Sequence, residues 1–486
     1  MNIETKTLHM KRIRSKQWIL VLTFFIFVSV AKSQPGTNGD TTKNIRHEFS
    51  VEQAVAYAKK NNATVKNALL DVLKQQQVNR EVTASAYPHI NASIGTTYNP
   101  NVATQVIPNF ISPATYQVLI DEGVKDGNGN PIQMPSDFGF VAAQFGSKFS
   151  ATAGISLSQI LFDGQVFVGL LARGVAIKFF EKNAEVTEEM IKANVYKIYY
   201  QLVVSKTQIE LLDANIALLE KNLNDTKIIY ENGFREKLDV DKATVQLANL
   251  QTEKQKVLNT ISNGYYGLKM LMGMPINEEL VLTDKLTDEQ IKDGIIESSV
   301  YKYEDRKEFQ YVQLANKLNE YNVRRYKLSQ IPTLTLTGLY AKNAQRNQWN
   351  FTGRGDWFTI SNVNLNVAIP IFNGFFIKSK IAQTQIDVRK TENQIDALKI
   401  SIDNEVAVAK NNFRSAIATM DFQKRNMELA EKVYQQTKKK YEMGTGSQIE
   451  IVAAQTDLKA AQTNYVTALY DGIIARIDFL KATGKL

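Results

Sequence analysis

The same punctuation marks appear twice in this chain, about 211 residues apart, and that repetition limits the folds open to it more than any other feature. Phe162-Asp163-Gly164 returns as Phe372-Asn373-Gly374 at an offset of 210, and Tyr230-Glu231-Asn232-Gly233 returns as Tyr441-Glu442-Met443-Gly444 at 211. Leu271-Met272-Gly273 is echoed by Ala482-Thr483-Gly484, again at 211. Upstream, Tyr87-Pro88 matches Ile331-Pro332 at 244, so the 33 or so extra residues of the first half lie between 88 and 162. The chain reads as two like halves, 49–273 and 303–486, around a linker at 274–302.

Each half holds a long segment without Gly or Pro, 175–232 in the first and 375–443 in the second. Within the first, Ile191, Val195, Ile198, Leu202, Ile209, Leu212, Ile216, Leu219 and Leu223 recur in steps of three and four with one double step of seven, the spacing of a coiled-coil seam. A helix running from the FDG or FNG motif to the glycine turn is about 100 Å long. Shorter helical segments, 51–86 with 238–271 and 303–330 with 449–480, span the same length when stacked end to end. One long helix beside two short ones, twice per chain, is the expectation. Ser50 and Gln53 are spaced as a capping box for the first short helix.

Between the helices lie four alternating segments. Ile90, Ala92, Ile94 and Tyr98 alternate with His89, Asn91, Ser93 and Thr97; Phe149, Ala151, Ala153, Ile155 and Leu157 alternate with Ser, Thr and Gly. Leu334, Leu336 and Tyr340 alternate with threonines, and Val363, Leu365, Val367 and Ile369 with Asn362, Asn364 and Asn366. An apolar face opposite a small polar one is the pattern of a membrane strand between lipid and a wet lumen. Tyr98, Phe149, Tyr340, Trp357 and Phe358 fall toward one common end, as an interfacial girdle does. Four strands cannot close a barrel, and lipid tolerates no open edge. Two chains would give eight strands and three would give twelve.

Composition agrees with a helix-rich chain, since Gly and Pro together are only 35 of 486 residues and hydrophobic residues are 44%. The formal charge is +9, but residues 1–33 carry six basic residues and one acid, leaving +4 with no basic block and no support for a nucleic-acid partner. That stretch reads as a signal peptide. Lys11, Arg12, Arg14 and Lys16 precede an apolar run at 18–30, too short to span, and Ala31-Lys32-Ser33 sets cleavage before Gln34. A flexible segment at 34–48 would follow. No cysteine is present, which excludes disulfides, thiolate metal sites and a lipid-modified N-terminal Cys. His9, His47 and His89 form no ligand-like pair, and no phosphate loop or nucleophile elbow occurs, so neither enzyme activity nor a cofactor is expected.

The residues resemble the TolC family of outer-membrane efflux proteins over the whole mature chain. The resemblance rests on the Ser50–Asn61 opening, the Tyr87-Pro88 and Ile331-Pro332-Thr333-Leu334 strand starts and the two Phe-Asx-Gly motifs. Its strongest part is Tyr441-Glu442-Met443-Gly444-Thr445 followed by Ile449-Glu450-Ile451-Val452-Ala453-Ala454-Gln455. It implies an α+β membrane protein: a homotrimer with a 12-stranded outer-membrane barrel continued by a periplasmic coiled-coil tunnel. It also implies a periplasmic adaptor, an inner-membrane pump and passive conduction of small molecules. A type I protein-secretion channel would share the architecture, and a non-conducting periplasmic coiled-coil scaffold is the reading from a different class.

Within that resemblance the glycine turns are the adaptor-docking tips, with Asn232, Gly233 and Phe234 in the first half and Met443, Gly444 and Thr445 in the second. The bare alternative is a glycine helix cap. Glu450 and its repeat counterpart Asp239 are candidate constriction residues, against the alternative of acids complementing helix dipoles. Tyr441 and Tyr230 are candidates for holding the tip closed, against core packing. The family's basic gate residue would fall at Gly446 and a second acid at Ala453, so a tip closed by ionic links is not expected here. The sequence leaves open the substrate, the pump and the role of the long loop at about 99–147, expected to face the exterior.

Overall fold

The computed structural model of the chain describes residues 46–285, 288–292, 301–352 and 355–486. The signal peptide expected at 1–33, most of the segment at 34–48 and part of the linker at 274–302 lie outside the described residues. Among the described residues, Arg46 and His47 with Asn277–Glu279 make a small unit of their own, in which His47 Nε2 lies 2.9 Å from Glu278 Oε2. The second unit comprises 48–276 and 280–486.

After β1 (Arg46–Phe49), Ser50 caps α1 (Val51–Asn61) through the expected box: Gln53 N donates to Ser50 Oγ at 3.3 Å, and Ser50 N to Gln53 Oε1 at 2.9 Å. The helix expected over 51–86 is two helices. Asn62 closes α1 and opens α2 (Ala63–Ala84), its Oδ1 accepting from Thr64 N at 2.8 Å and Val65 N at 3.2 Å. Next come β2 (His89–Tyr98), β3 (Thr104–Pro108), α3 (Ile111–Asp121), β4 (Phe140–Gln144) and β5 (Phe149–Phe162). The segment read as a loop thus has structure of its own, since β3 and β4 pair antiparallel with α3 between them.

The 68-residue α4 (Gly164–Glu231) follows, then α5 (Lys237–Met272), β6 (Glu279–Leu282) and the short α6 (Asp288–Lys292). A single 3₁₀ turn leads into α7 (Lys307–Leu328), β7 (Thr333–Arg346), β8 (Phe358–Ala368), the 67-residue α8 (Phe376–Glu442) and α9 (Gln448–Ala482). The two Phe-Asx-Gly motifs do not build the same junction. Asp163 Oδ1 caps α4 by accepting from Gln165 N at 2.7 Å, whereas α8 starts after a left-handed Phe375 with φ of 64°. No described helix is long and apolar enough to cross a membrane.

The four expected strands form one antiparallel sheet in the order β2-β5-β7-β8. Its register aligns Ile90 with Leu157, Gly338 and Val363, and Ala92 with Ile155, Tyr340 and Ser361. The apolar members of all four strands therefore share one face, where Ile94 is 89% and Val363 78% exposed. One expectation fails: Tyr340 pairs with Ile155, six residues inside Phe149, because β7 runs on to Arg346. The aromatic end is instead Tyr98 stacked on Phe149 at 4.7 Å, Phe149 against Trp349 at 5.9 Å, and Phe351 between Trp349 and Trp357.

Packing follows the heptad. Ile191, Val195, Leu202, Leu212 and Leu219 are buried, and the other four seam residues are half-buried. α4 packs against α1, α2, α5, α7 and α9, and α8 against α7 and α9. The two halves also repeat a junction that no motif announced. Asn62 Nδ2 donates to the Leu271 carbonyl at 2.6 Å, and Arg306 Nη1 donates to the Ala482 carbonyl at 2.9 Å. Donor and acceptor positions keep the offsets of 244 and 211. Buried Arg306 also pairs with Glu308 at 3.1 Å and Glu405 at 2.9 Å.

Beside the first of these junctions, Gly273 has a φ of 70°, and a Cβ there would lie 2.5 Å from the Asn61 carbonyl oxygen. Gly273→Ala is expected to destabilise the protein by about 2–4 kcal/mol through left-handed strain and overpacking. Gly267→Ala, within α5 and with open space around the new methyl, should be neutral or stabilising by up to about 1 kcal/mol. Thermal unfolding of the detergent-solubilised variants checks both; equal midpoints would refute the close approach.

Candidate functional site

The ends of α4 and α8 fold identically, residue for residue at the 211 offset. Gly233 and Gly444 take φ of 78° and 74°, a backbone state that a side chain disfavours. In the first turn Gly233 N donates to the Tyr230 carbonyl at 2.8 Å and Phe234 N to that of Ile229 at 3.0 Å. In the second, Gly444 N donates to Tyr441 O and Thr445 N to Lys440 O, each at 3.0 Å. Both are Schellman turns, which satisfy the last helix carbonyls and reverse the chain into α5 and α9. Asn232 is the C-cap of α4 and Met443 that of α8. Their apolar neighbours are left in water: Phe234 is 83%, Met443 71% and Ile449 77% exposed.

The structure brings some of the candidate gate residues together and leaves others apart. Arg235 Nη2 donates to the Tyr441 hydroxyl at 2.7 Å, and its guanidinium lies 5.1 Å from that ring's centre. Arg235 Nη1 also lies 3.7 Å from Asp239 Oδ2. The tip of the first hairpin is thereby tied to the second through a cation that the sequence reading missed. It was within reach, because Arg235 stands 211 residues before Gly446, the position where a basic residue was sought. Burial pushes the Tyr441 phenol up, and the Arg235 charge works against that while Asp239 adds to it. The phenol thus stays a neutral acceptor for the guanidinium.

Among the described residues Tyr230 finds no matching bond, and it is 39% exposed. Glu450 stands in the first turn of α9, where its backbone N donates to Ser447 Oγ at 3.2 Å; its carboxylate meets no described partner. Gly446 cannot host a Cβ without displacing backbone, since Tyr441 N would be 3.0 Å away. A groove of about 600 Å³ separates the starts of α5 and α9, with Leu238, Val245 and Ile449 on its walls and Asp239 at its side. Farther from the turns, Asn215 Nδ2 donates to Gln462 Oε1 at 2.9 Å and Lys459 pairs with Glu253, joining the halves again.

A family described as outer membrane efflux protein matches residues 304–485. The outer membrane protein TolC of Vibrio cholerae is 22% identical over 342 residues, covering 69% of this chain and 77% of that protein. The outer membrane efflux protein BepC of Brucella suis is 24% identical over 344 residues, 70% of this chain and 73% of that one. Among solved structures, the Campylobacter jejuni CmeC outer membrane channel aligns with a TM-score of 0.68 at 16% identity, covering 90% of this chain and 85% of that one.

Proposed function

We propose that this chain works as a member of the TolC family of outer-membrane efflux proteins, a reading supported by its similarity to the outer membrane efflux proteins above. It is an outer-membrane channel subunit of an efflux system, conducting solutes passively from a periplasmic adaptor and an inner-membrane transporter to the exterior. Three copies close a 12-stranded barrel, and their helices continue it as a tunnel into the periplasm.

The carrying observation is the β2-β5-β7-β8 sheet. One face is apolar, the other is lined by Ser, Thr and Asn, and neither outer edge has a partner among the described residues. Successive strands alternate in direction, so β8 of one copy runs antiparallel to β2 of the next, and the edges can pair as a barrel requires. The exposed Phe234 and Met443 turns suit an adaptor surface. Near them, three Glu450 carboxylates around a narrow axis would favour cations and repel anions. Asp239, neutralised in part by Arg235, contributes less.

The test is conduction. In planar bilayers under a KCl gradient, the wild-type protein should pass current with a cation-selective reversal potential, and Glu450→Gln should move that potential toward zero. Glu220→Gln, on an exposed face of α4, is the control; Glu253 cannot serve because it holds Lys459. A reversal potential unaltered by Glu450→Gln returns that residue to a helix-start acid, and absence of any current sinks the channel itself.

A further inference from the structure

The strands β2, β5, β7 and β8 contain only two charged residues, Lys342 and Arg346, both on β7. Arg346 lies at the aromatic end, its guanidinium 5.5 Å from the centre of the Phe351 ring. Lys342 is four residues deeper. Its register partners are Ala153 and Thr359, which put it on the same face as Ile94, Ile155 and Tyr340. There it is exposed, and no described residue offers it a hydrogen bond or an ion pair.

Around it the wall is hollow. A groove of about 570 Å³ opens over Ala92, Ala153 and Gly154, bounded by Ile94, Tyr340 and Trp357, and among the described residues Lys342 is the one charge lining it. In the channel reading this face meets lipid. A bare ammonium there is costly at the membrane midplane and nearly free at the interface. Four residues inside the aromatic end amount to about 13 Å along the strand, or about 10 Å of depth at a usual barrel tilt. From that depth a lysine stem can lie along the apolar wall and lift its charge to the headgroups. The helices leave the sheet at its opposite end, through Phe162 and Ala368, so this is the outward-facing half of the wall.

We propose that this groove is a lipid-binding site in which the Lys342 ammonium holds the anionic phosphate headgroup of an outer-leaflet lipid. The small residues make room for an acyl chain between Ile94 and Tyr340, and Trp357 marks the headgroup level. A soluble anion is a poor occupant, because hydrocarbon covers the groove. The proposal rests on the channel reading, and its test separates the two.

Trp357 is the reporter. The sequence has three tryptophans, with Trp18 in the expected leader, so Trp349→Phe leaves Trp357 alone in the mature chain. The full protein is reconstituted in brominated phosphatidylcholine, which quenches tryptophan on contact. A minor share of that lipid is then replaced by unbrominated diphosphoryl lipid A or by unbrominated phosphatidylcholine. Lipid A should relieve the quenching about fivefold more than phosphatidylcholine, the preference that one lysine at a headgroup provides. Lys342→Gln should make the two equal, and Lys342→Arg should keep the difference. Equal relief in the wild-type protein, or a lipid A preference that survives Lys342→Gln, overturns the site while leaving the barrel intact. No quenching by brominated lipid at all would mean that this face never meets the bilayer, and the barrel reading fails with it.

Discussion

Leu212→Asp is expected to remove assembled protein from the outer membrane. Leu212 is 4% exposed and packs with Leu219 and Leu250, with Ile209, Ile216, Leu247 and Val257 around them. Truncating such a residue typically costs about 2–5 kcal/mol, and the carboxylate adds the penalty of an unpaired buried charge. A domain's whole stability is commonly about 5–15 kcal/mol, and the proposed assembly would carry the lesion three times. Lys221→Asp reverses a charge on the exposed side of the same helix and should change stability by no more than about 0.5 kcal/mol. The measurement is the yield of SDS-resistant oligomer in the membrane fraction, which Leu212→Asp should abolish and Lys221→Asp should preserve. Comparable yields would show that the seam is misassigned.

Arg235→Ala should open the tip. Its bond to Tyr441 joins the two hairpin ends of one chain, and a hydrogen bond to a charged group contributes about 1.5–3 kcal/mol. Losing it would shift a closed-to-open equilibrium by about tenfold or more, read as a several-fold rise in single-channel conductance. Tyr441→Phe should raise conductance less, because the ring face still attracts the guanidinium and Asp239 still pairs with it. Oligomer yield must stay at the wild-type level in both variants. Conductance unchanged by Arg235→Ala would leave the contact as packing, with no part in closure.

What the sequence made legible was what local chemistry repeats. The alternation in Ile90–Tyr98 and its three counterparts fixed strands and faces, because a period of two admits one buried set. The coiled-coil seam fixed α4, and the paired glycines fixed both turns. Failures came where a single side chain outvoted a pattern. Asn62 breaks a helix whose periodicity runs straight through it, and it does so with hydrogen bonds to Thr64, Val65 and a carbonyl 209 residues away. Tyr340 looked terminal because the threonine alternation fades there, yet the ladder continues to Arg346. The β3–β4 hairpin has only five residues per strand, too few to stand out among Pro, Gly and Asn. Arg235 was missed because a cation was sought in one half alone, whereas the fold draws its tip contacts from both.

The outer edges of β2 and β8, unpaired among the described residues, also constrain how the molecule comes into being. A lone copy cannot rest in a bilayer, since two rows of unpaired amides and carbonyls would face hydrocarbon. Nor is it safe in water, where the same edges and the exposed Ile94 and Val363 would template aggregation. In the proposed barrel, membrane insertion and the meeting of three chains are therefore one event, and its rate climbs far more steeply than in proportion to the supply of new chain. Halving expression should cut the number of finished channels by more than half, with the shortfall appearing as degraded chain and no pool of inserted single subunits.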